Sequence, residues 1–317
     1  MDKYIMSSSP HVRSPKTTAK IMRDVIIALI PATAAGVFFF GAASLLTVLI
    51  CVASAMLSET LLQLLMRRKI TVGDGSAAVT GLLLALNLPP IDISLWWIPV
   101  IGAFFAIGIV KQCFGGLGHN FINPALAARA FLVISWPTIM TAFAAPASAV
   151  IADAVSSATP LAALKAGGAL PPYIDMFLGN TGGCIGETSA LALIIGGLYL
   201  IARRVIDPRI PVVYIAATAL FTFVAGPDGL FTGDALYHVL GGGLMMGAIF
   251  MATDYTTSPM TGAGRAVFAA GCGVLTSVFR LWGGNPEGVS YSILLMNLAV
   301  PLIDKAFAQK LFGGAAK

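Results

Sequence analysis

VIIALIPATAAGVFFF (residues 25–40) and ASLLTVLICVASAMLSETLLQLLM (43–66), followed at once by Arg67-Arg68-Lys69, are the stretches that decide the fold. With their flanks they form runs of bilayer-spanning length, roughly 17–25 residues each, and the cluster of cations marks where the chain returns to water. The rest of the chain repeats this grammar. Of its 317 residues 57% are hydrophobic and only 10% charged, with a mean hydropathy of +0.88. A soluble domain carries about 25% charged residues, so a single water-soluble core is excluded. The polar, basic start MDKYIMSSSPHVRSPKTTAKIMRD has no apolar core or small-residue cleavage site of its own, which predicts that the first span is retained.

Apolar runs bounded by Gly, Pro and charge predict about ten spans. They fall near 24–41, 43–66, 75–90, 94–112, 123–136, 187–205, 210–226, 234–252, 264–282 and 288–307, with the third and fifth short enough to be broken helices. With a cytoplasmic N-terminus, 16 of the 19 Lys and Arg residues lie on the inner side, among them Arg67, Arg68, Lys69, Lys111, Arg203, Arg204, Arg209 and Arg265. Only Lys165 and Arg280 fall outside, and Arg129 lies within a span. That asymmetry predicts both termini inside. It also accounts for the net charge of +5 through topology rather than nucleic-acid binding.

Two landmarks recur. Gly73-Asp74 returns as Gly233-Asp234, 160 residues on, and Asn123-Pro124 returns as Asn285-Pro286, 162 residues on. Near-equal offsets suggest a duplicated five-span unit, and an odd number of spans makes the second copy run in the opposite sense. Ordinary turn dipeptides recurring by accident would look the same. The expected architecture is an all-α polytopic membrane protein of about ten transmembrane helices in two inverted five-helix repeats. Its parts are an N-terminal segment 1–23, a first repeat 24–136, an extracytoplasmic loop 137–186, a second repeat 187–307 and a tail 308–317.

The four cysteines (Cys51, Cys113, Cys184, Cys272) form no CxxC pair, which argues against zinc or a self-contained iron–sulfur cluster. They read as small apolar helix residues, and His11, His119 and His238 as structural, with no ligand spacing. Ionisable groups in or beside spans are costly and so draw attention: Asp74, Asp254, Glu59, Glu187 and Arg129. Asn120, Asn123 and Arg129 could hold a ring edge or an ion, or serve only as caps and interhelical hydrogen bonds. Gly73–Ser76 and Gly186-Glu187-Thr188-Ser189 each open a span with small residues and an acid. That pattern is either plain N-capping or a set of free N–H groups for a phosphate. In the long loop, Asp153-Ala-Val-Ser156-Ser-Ala158-Thr159-Pro presents a hydroxyl among small side chains. Alone it reads as a solvated turn.

Taken in order, SSSPHVRS (7–14), GDGSAAVTGLLLALNLPP (73–90), GHNFINPALAARAFL (118–132), DAVSSATPL (153–161), GETSALALIIGG (186–197) and ATDYTTSPMTG (252–262) resemble RnfD, a membrane component of the Rnf electron-transport complex and a relative of the NqrB component of the sodium-pumping NADH:quinone reductase. The resemblance implies a flavin mononucleotide (FMN) joined through its phosphate to Thr159, within a motif carried here by Asp153, Ser156 and Ala158. Ser157 stands where glycine is frequent. It further implies a second, noncovalent flavin such as riboflavin, for which no residue is indicated beyond the candidate path Asp74, Asn120, Asn123, Arg129 and Asp254. Gly186, Glu187, Thr188 and Ser189 are the candidate seat of the tethered flavin, because Glu187 is expected on the same side as Thr159.

The implied partners are the other Rnf subunits, RnfA, RnfB, RnfC, RnfE and RnfG, with the FMN-bearing RnfG as electron donor, a flavin transferase for maturation, and membrane lipid. The implied setting is a bacterial or archaeal cytoplasmic membrane, with Thr159 outside. The implied role is electron relay between ferredoxin and NAD coupled to Na+ or H+ movement. No Gly-rich dinucleotide fingerprint is evident, so NAD and ferredoxin are expected on partner subunits. A secondary transporter or channel with inverted repeats and no redox cofactor fits composition and topology equally well. The DAVSSATPL loop is what separates the two.

Overall fold

Inside a bilayer every backbone N–H and C=O must find a partner within the protein, which leaves helices as the economical solution for a chain this apolar. The computed structural model describes residues 16–146, 158–226, 229–284 and 287–308. Asp153, Ser156, Ser157, Asn285-Pro286, His11 and the basic residues Lys3, Arg13, Lys310 and Lys317 lie outside the described residues.

The first two apolar stretches form α1 (Thr18–Phe40) and α2 (Ala42–Leu65). Thr17 caps α1 through its side chain, and Gly41, at φ 69°, makes the left-handed turn between the two. A short turn at Val72–Asp74 then leads into α3 (Ser76–Leu86), ten of whose eleven residues are buried. Next come α4 (Trp97–Phe104), which passes into a π-helical stretch at Phe105–Gln112, and then α5 (Pro124–Ser135) and the one-turn α6 (Pro137–Met140). Beyond the long loop lie α7 (Pro160–Ala166), α8 (Tyr173–Leu178), α9 (Ala190–Ala202) and α10 (Arg209–Val224). A small hairpin pairs β1 (Ala225–Gly226) with β2 (Gly229–Leu230), Ala225 opposite Leu230. The chain continues as α11 (Ala235–Leu240), α12 (Leu244–Met246) running into a π stretch at Gly247–Met251, α13 (Gly262–Trp282) and α14 (Val289–Ala306).

Among the described residues, five helices are long and apolar enough to cross a membrane: Thr18–Phe40, Ala42–Leu65, Ile93–Gln112, Gly262–Trp282 and Val289–Ala306. Four shorter apolar helices accompany them, at Ser76–Leu86, Pro124–Ser135, Ala190–Ala202 and Arg209–Val224. At 1.5 Å per residue α3 and α5 reach only about half of a ~30 Å hydrocarbon core, as their interrupted sequences predicted. The span expected at 234–252 is not one helix. It breaks at Gly241-Gly242-Gly243, where Gly242 has φ 65°.

The enclosed α3 and the broken α12 segment form the centre. Here α2 packs on α3 and α4, α10 packs on α11 and α13, and α1 lies along α9 while α5 meets α14. The α1–α9 contact is close enough that a Cβ on Gly196 would collide with the backbone carbonyl of Ala28. Both Gly-Asp landmarks stand where short helices open, with Gly75 in the cap position of α3 and Asp234 as the cap of α11. Asp74 Oδ1 accepts from Ser76 N at 2.7 Å, and Asp234 Oδ1 accepts from Tyr237 N at 2.9 Å.

Two charges counted toward one side of the membrane or the other are internal to the bundle. Lys111 lies in the π stretch, 2% exposed, paired with Glu59 at 2.7 Å, so it is no topology marker. Arg280 is buried within α13 and holds the carbonyl oxygens of His238 and Gly241. In both cases the side chain finds its partners inside the bundle, which position relative to apolar runs does not reveal.

Candidate functional site

The geometry gathers around Arg129, on the second turn of α5. Asn123 starts that helix by accepting from the backbone N–H groups of Ala125 and Leu126 (3.1 and 3.2 Å), and Pro124 takes the first position, where no N–H is needed. The guanidinium of Arg129 then donates to Glu187 Oε1 at 2.9 Å, Glu287 Oε2 at 2.6 Å, Ser290 Oγ at 3.0 Å, Asn87 Oδ1 at 3.3 Å and Cys184 Sγ at 3.5 Å. All are withdrawn from solvent; the side chains of Arg129, Glu187 and Glu287 are 8%, 3% and 9% exposed. Cys184 is therefore part of a polar cluster rather than simple packing, a correction to its reading as an apolar residue. Its Sγ and the carboxylate oxygens of Glu187 and Glu287 lie within 4.8 Å of one another, a spacing that a metal could bridge. The cation of this cluster is Arg129 itself, which already donates to all three.

Thr159 sits against this cluster. Its side chain caps α7, accepting from Ala162 N at 3.3 Å, and the residue is only 4% exposed. This corrects the expectation of a solvated turn. The reason lies in the chain after it, where Leu161, Met176 and Tyr237 form a small apolar core and Tyr237 donates to the Pro160 carbonyl at 3.2 Å. Ala158, by contrast, is exposed. Thr159 borders two cavities. One, of about 220 Å³, is bounded by Arg129, Glu287, Ser290 and Tyr291 on one side and by Val133, Met140 and Phe143 on the other. A narrower one is bounded by Glu187, Thr188, Glu287 and the Gly241-Gly242 turn. Thr188 Oγ1 and Glu187 Oε2 are buried there without a hydrogen-bond partner among the described residues.

Of the four residues Gly186–Ser189, only Glu187 and Thr188 face this region. Gly186 N donates to Leu86 O at 2.8 Å and Glu187 N to Cys184 O at 3.2 Å, so these two N–H groups are already used and cannot receive a phosphate. Ser189 caps α9 by accepting from Ala192 N. Glu187 serves as a counter-ion inside the bundle, not as a first-turn acid.

The remaining candidates collect at the N-terminal end of α5. Asn120, Asn123 and Asp254 line a mostly apolar cavity of about 100 Å³ together with Ser76 and Lys111. Asp254 accepts from Thr256 and Thr257, and Asn120 also hydrogen-bonds to it. Burial outweighs these bonds and raises its carboxyl above the ordinary range. Asp74 is not in the cavity wall; its carboxylate accepts from Ser76 N just before α3. Arg129 is separated from this group by about 9 Å of helix, six residues along α5 from Asn123. Asn87 bridges the two groups: it accepts from Arg129, while its Nδ2 reaches the Met251 sulfur at 3.5 Å, and Asn123 Nδ2 donates to the Met251 carbonyl at 3.3 Å.

Sequence reasoning missed Glu287, Asn87 and Ser290 as site residues. Glu287 carried a signal, an acid two residues from Asn285-Pro286 at the mouth of a span. Asn87 carried only its position at the end of an apolar helix. Glu59, one of the ionisable residues within a span, faces the bundle and also accepts from Gln112 Nε2 at 2.9 Å.

Comparison with known proteins agrees over nearly the whole chain. The model of the NQR2, RnfD, RnfE family matches residues 5–313. The D component of the Na(+)-translocating ferredoxin:NAD(+) oxidoreductase complex of Acetobacterium woodii is 53% identical over 312 residues, covering 97% of this chain and 95% of that protein. The D component of the proton-translocating ferredoxin:NAD(+) oxidoreductase complex of Clostridium ljungdahlii is 47% identical, covering 98% and 96%. The D component of an ion-translocating oxidoreductase complex of Stutzerimonas stutzeri is 40% identical, covering 94% and 93%. With the helical membrane architecture and the ordered motifs, these matches establish that the chain belongs to the NQR2, RnfD, RnfE family.

Proposed function

We propose that this chain is the RnfD membrane component of an ion-translocating ferredoxin:NAD oxidoreductase, carrying FMN esterified through its phosphate to Thr159 and relaying electrons coupled to Na+ or H+ translocation. The observation that carries this reading is the place of Thr159, the threonine of the Asp153–Thr159 pattern, at the junction of two cavities walled by the Arg129 cluster. The residues present suit such a group. Thr188 Oγ1 is a buried hydroxyl in want of a partner and can donate to a phosphoryl oxygen. Val133, Met140, Phe143 and Tyr291 supply the apolar and aromatic walls that a planar ring needs. When bound, the flavin supplies reversible electron uptake.

The chain's own part is to hold that group still. The Thr159 side chain is set by α7, whose apolar face is pinned on Met176 and Tyr237. Arg129 provides the fixed positive charge, and its two carboxylates fix the guanidinium in turn. Asn87 ties this assembly to the cavity of Asn120, Asn123 and Asp254, which we assign as the candidate site for a second flavin or an ion path.

The same reading places the chain in a cytoplasmic membrane with ten crossings in two inverted five-helix units, termini inside and Thr159 outside. Its support is the basic-residue asymmetry and the parallel neighbour relations of the two halves: α2 with α3 and α4, α10 with α11 and α13. RnfA, RnfB, RnfC, RnfE and RnfG are the proposed partners, with RnfG as donor. Relatives named for sodium and for proton translocation match almost equally well, so the reading extends to either ion.

The test is ultraviolet fluorescence of the denatured polypeptide, after coexpression with a flavin transferase, joined to intact mass. The wild-type chain is expected to fluoresce and to carry the mass of one FMN ester, and Thr159→Ala to lose both. A dark wild-type band would favour a carrier without a redox cofactor.

A further inference from the structure

The Arg129 cluster contains more acid than its cation can balance. Two carboxylates, Glu187 and Glu287, both bond the one guanidinium, and their ligand oxygens lie within 4.8 Å of each other and of the Cys184 sulfur. Every element packed around Glu287 contributes to its surroundings. Arg129 comes from α5, Cys184 and Glu187 from the segment before α9, Arg280 from α13, and Ser290 and Tyr291 from α14. Among the described residues the other cation that acts on Glu287 is Arg280, but its guanidinium is bonded to the carbonyl oxygens of His238 and Gly241 and makes no ion pair there. It acts on Glu287 only at longer range.

Two like charges at this separation in a medium of low polarity do not both ionise freely, and a pair of this kind titrates as a unit. Burial first, and the charge of Glu187 second, raise the Glu287 carboxyl above the ordinary range, and Arg129 and Arg280 offset this only in part. The position is equally telling. Glu287 is in the wall of both cavities that flank Thr159, and Glu187 is in the wall of one.

We propose that Glu187 and Glu287, clamped on Arg129, form a buried two-carboxylate site that holds one exchangeable proton, and that this proton balances the negative charge of a phosphoester placed on Thr159. The proton is taken from and returned to water, converting one carboxylate to a carboxylic acid, and no electron moves in the step. The second clause rests on the Thr159 reading, whereas the first stands on the cluster alone. Both acids are positioning residues in this role. They set the charge beside the cofactor and pass nothing to it.

Infrared spectra of the lipid-embedded complex, titrated from about pH 5 to about pH 9, separate the two clauses, because a protonated carboxyl has its own C=O band and ordinary acids lose it near pH 4. The wild type is expected to keep such a band at neutral pH and to lose it on the alkaline side. Glu287→Gln should abolish that neutral-pH band, and Glu187→Gln should move its titration to lower pH. A wild type without the band, or a band unmoved by both substitutions, would overturn the site. Thr159→Val, which cannot carry the ester, should also shift the band's titration to lower pH. An unmoved titration there, in a chain whose wild type fluoresces, would overturn the charge balance. If the wild type is dark yet the band behaves as described, the Thr159 reading falls and the proton site is upheld.

Discussion

The two polar clusters along α5, one at its N-terminal cap and one around Arg129, solve the same problem in different ways. Near Asp254, Lys111 meets Glu59 Oε1 one to one at 2.7 Å, Ser76 and Gln112 add hydrogen bonds of 2.7 and 2.9 Å, and one carboxylate oxygen, Glu59 Oε2, has no partner among the described residues. In the Arg129 cluster, one arginine is divided among two carboxylates, a thiol, a hydroxyl and an amide, and polar atoms of Glu187 and Thr188 are left over. A matched pair in a bundle has the properties of a fastener. A shared cation with surplus acid beside an unpartnered hydroxyl, that of Thr188, has the properties of a site awaiting charge, because a buried donor without a partner is costly unless something later meets it.

The sharpest way to break this contrast is Arg129→Ala. It leaves two buried carboxylates without a cation, and loss of one partner of a buried pair typically costs about 3–5 kcal/mol. Removal of a cation shared by two acids should sit at or above the top of that range. Thermal unfolding of the purified chain in lipid should show a large loss, only partly recovered by Arg129→Lys, which cannot reproduce the planar fork.

Next in size is Glu59→Ala, expected to cost about 3 kcal/mol by stranding Lys111. Here the contrast sharpens. The double change Glu59→Leu with Lys111→Met should restore most of the stability, since a matched pair can be replaced by apolar packing. No such double change should rescue the Arg129 cluster, which would still hold a second acid. Equal rescue in both clusters would erase the distinction between them.

Gly243→Ala probes the same cluster from its wall. The position lies so close to Glu187 Oε1 that any Cβ forces the carboxylate aside. A loss of about 1–3 kcal/mol is expected, as for overpacked positions, together with a shift in the fluorescence of any flavin on Thr159. Unchanged melting would mean that Glu187 yields freely and is not clamped.

The smallest effect is expected at Asp254, whose folded carboxyl is raised by burial. The folded state then binds more protons than the unfolded chain, so its contribution to stability falls as pH rises from the ordinary carboxylate range through the folded value. Asp254→Asn should therefore stabilise the protein modestly at neutral pH and make little difference in acid. The difference in melting temperature between the two chains across pH measures it, and an effect confined to acid would contradict the assignment.

Much of the frame was legible beforehand because its causes are local. Pro124, Asn123, Gly41 and the two Gly-Asp steps mark helix ends through backbone geometry and capping, and these stand where the residue types place them. Thr159 was legible through its neighbours in the DAVSSATPL pattern, but its burial was not, since Met176 and Tyr237, which cover the turn that follows it, lie farther along the chain. Lys111 was misassigned for a related reason. A lysine at the end of an apolar run looks like a loop cation, and only its approach to Glu59 from α2 shows it to be internal. The break within 234–252 had three consecutive glycines as its signal, though hydropathy alone carried the run across them.

By itself, then, the amino-acid order determined that this is a helical membrane chain and where its helices begin, because hydropathy and capping act over a few residues, while Thr159 stands out through the ordered motifs that resemble a family. Tertiary structure alone decided which charges meet. Glu187 and Glu287 lie 58 and 158 positions from the arginine they share, and Asn87 lies 42. Burial in a common low-polarity interior is what turns such distant residues into a single electrostatic unit.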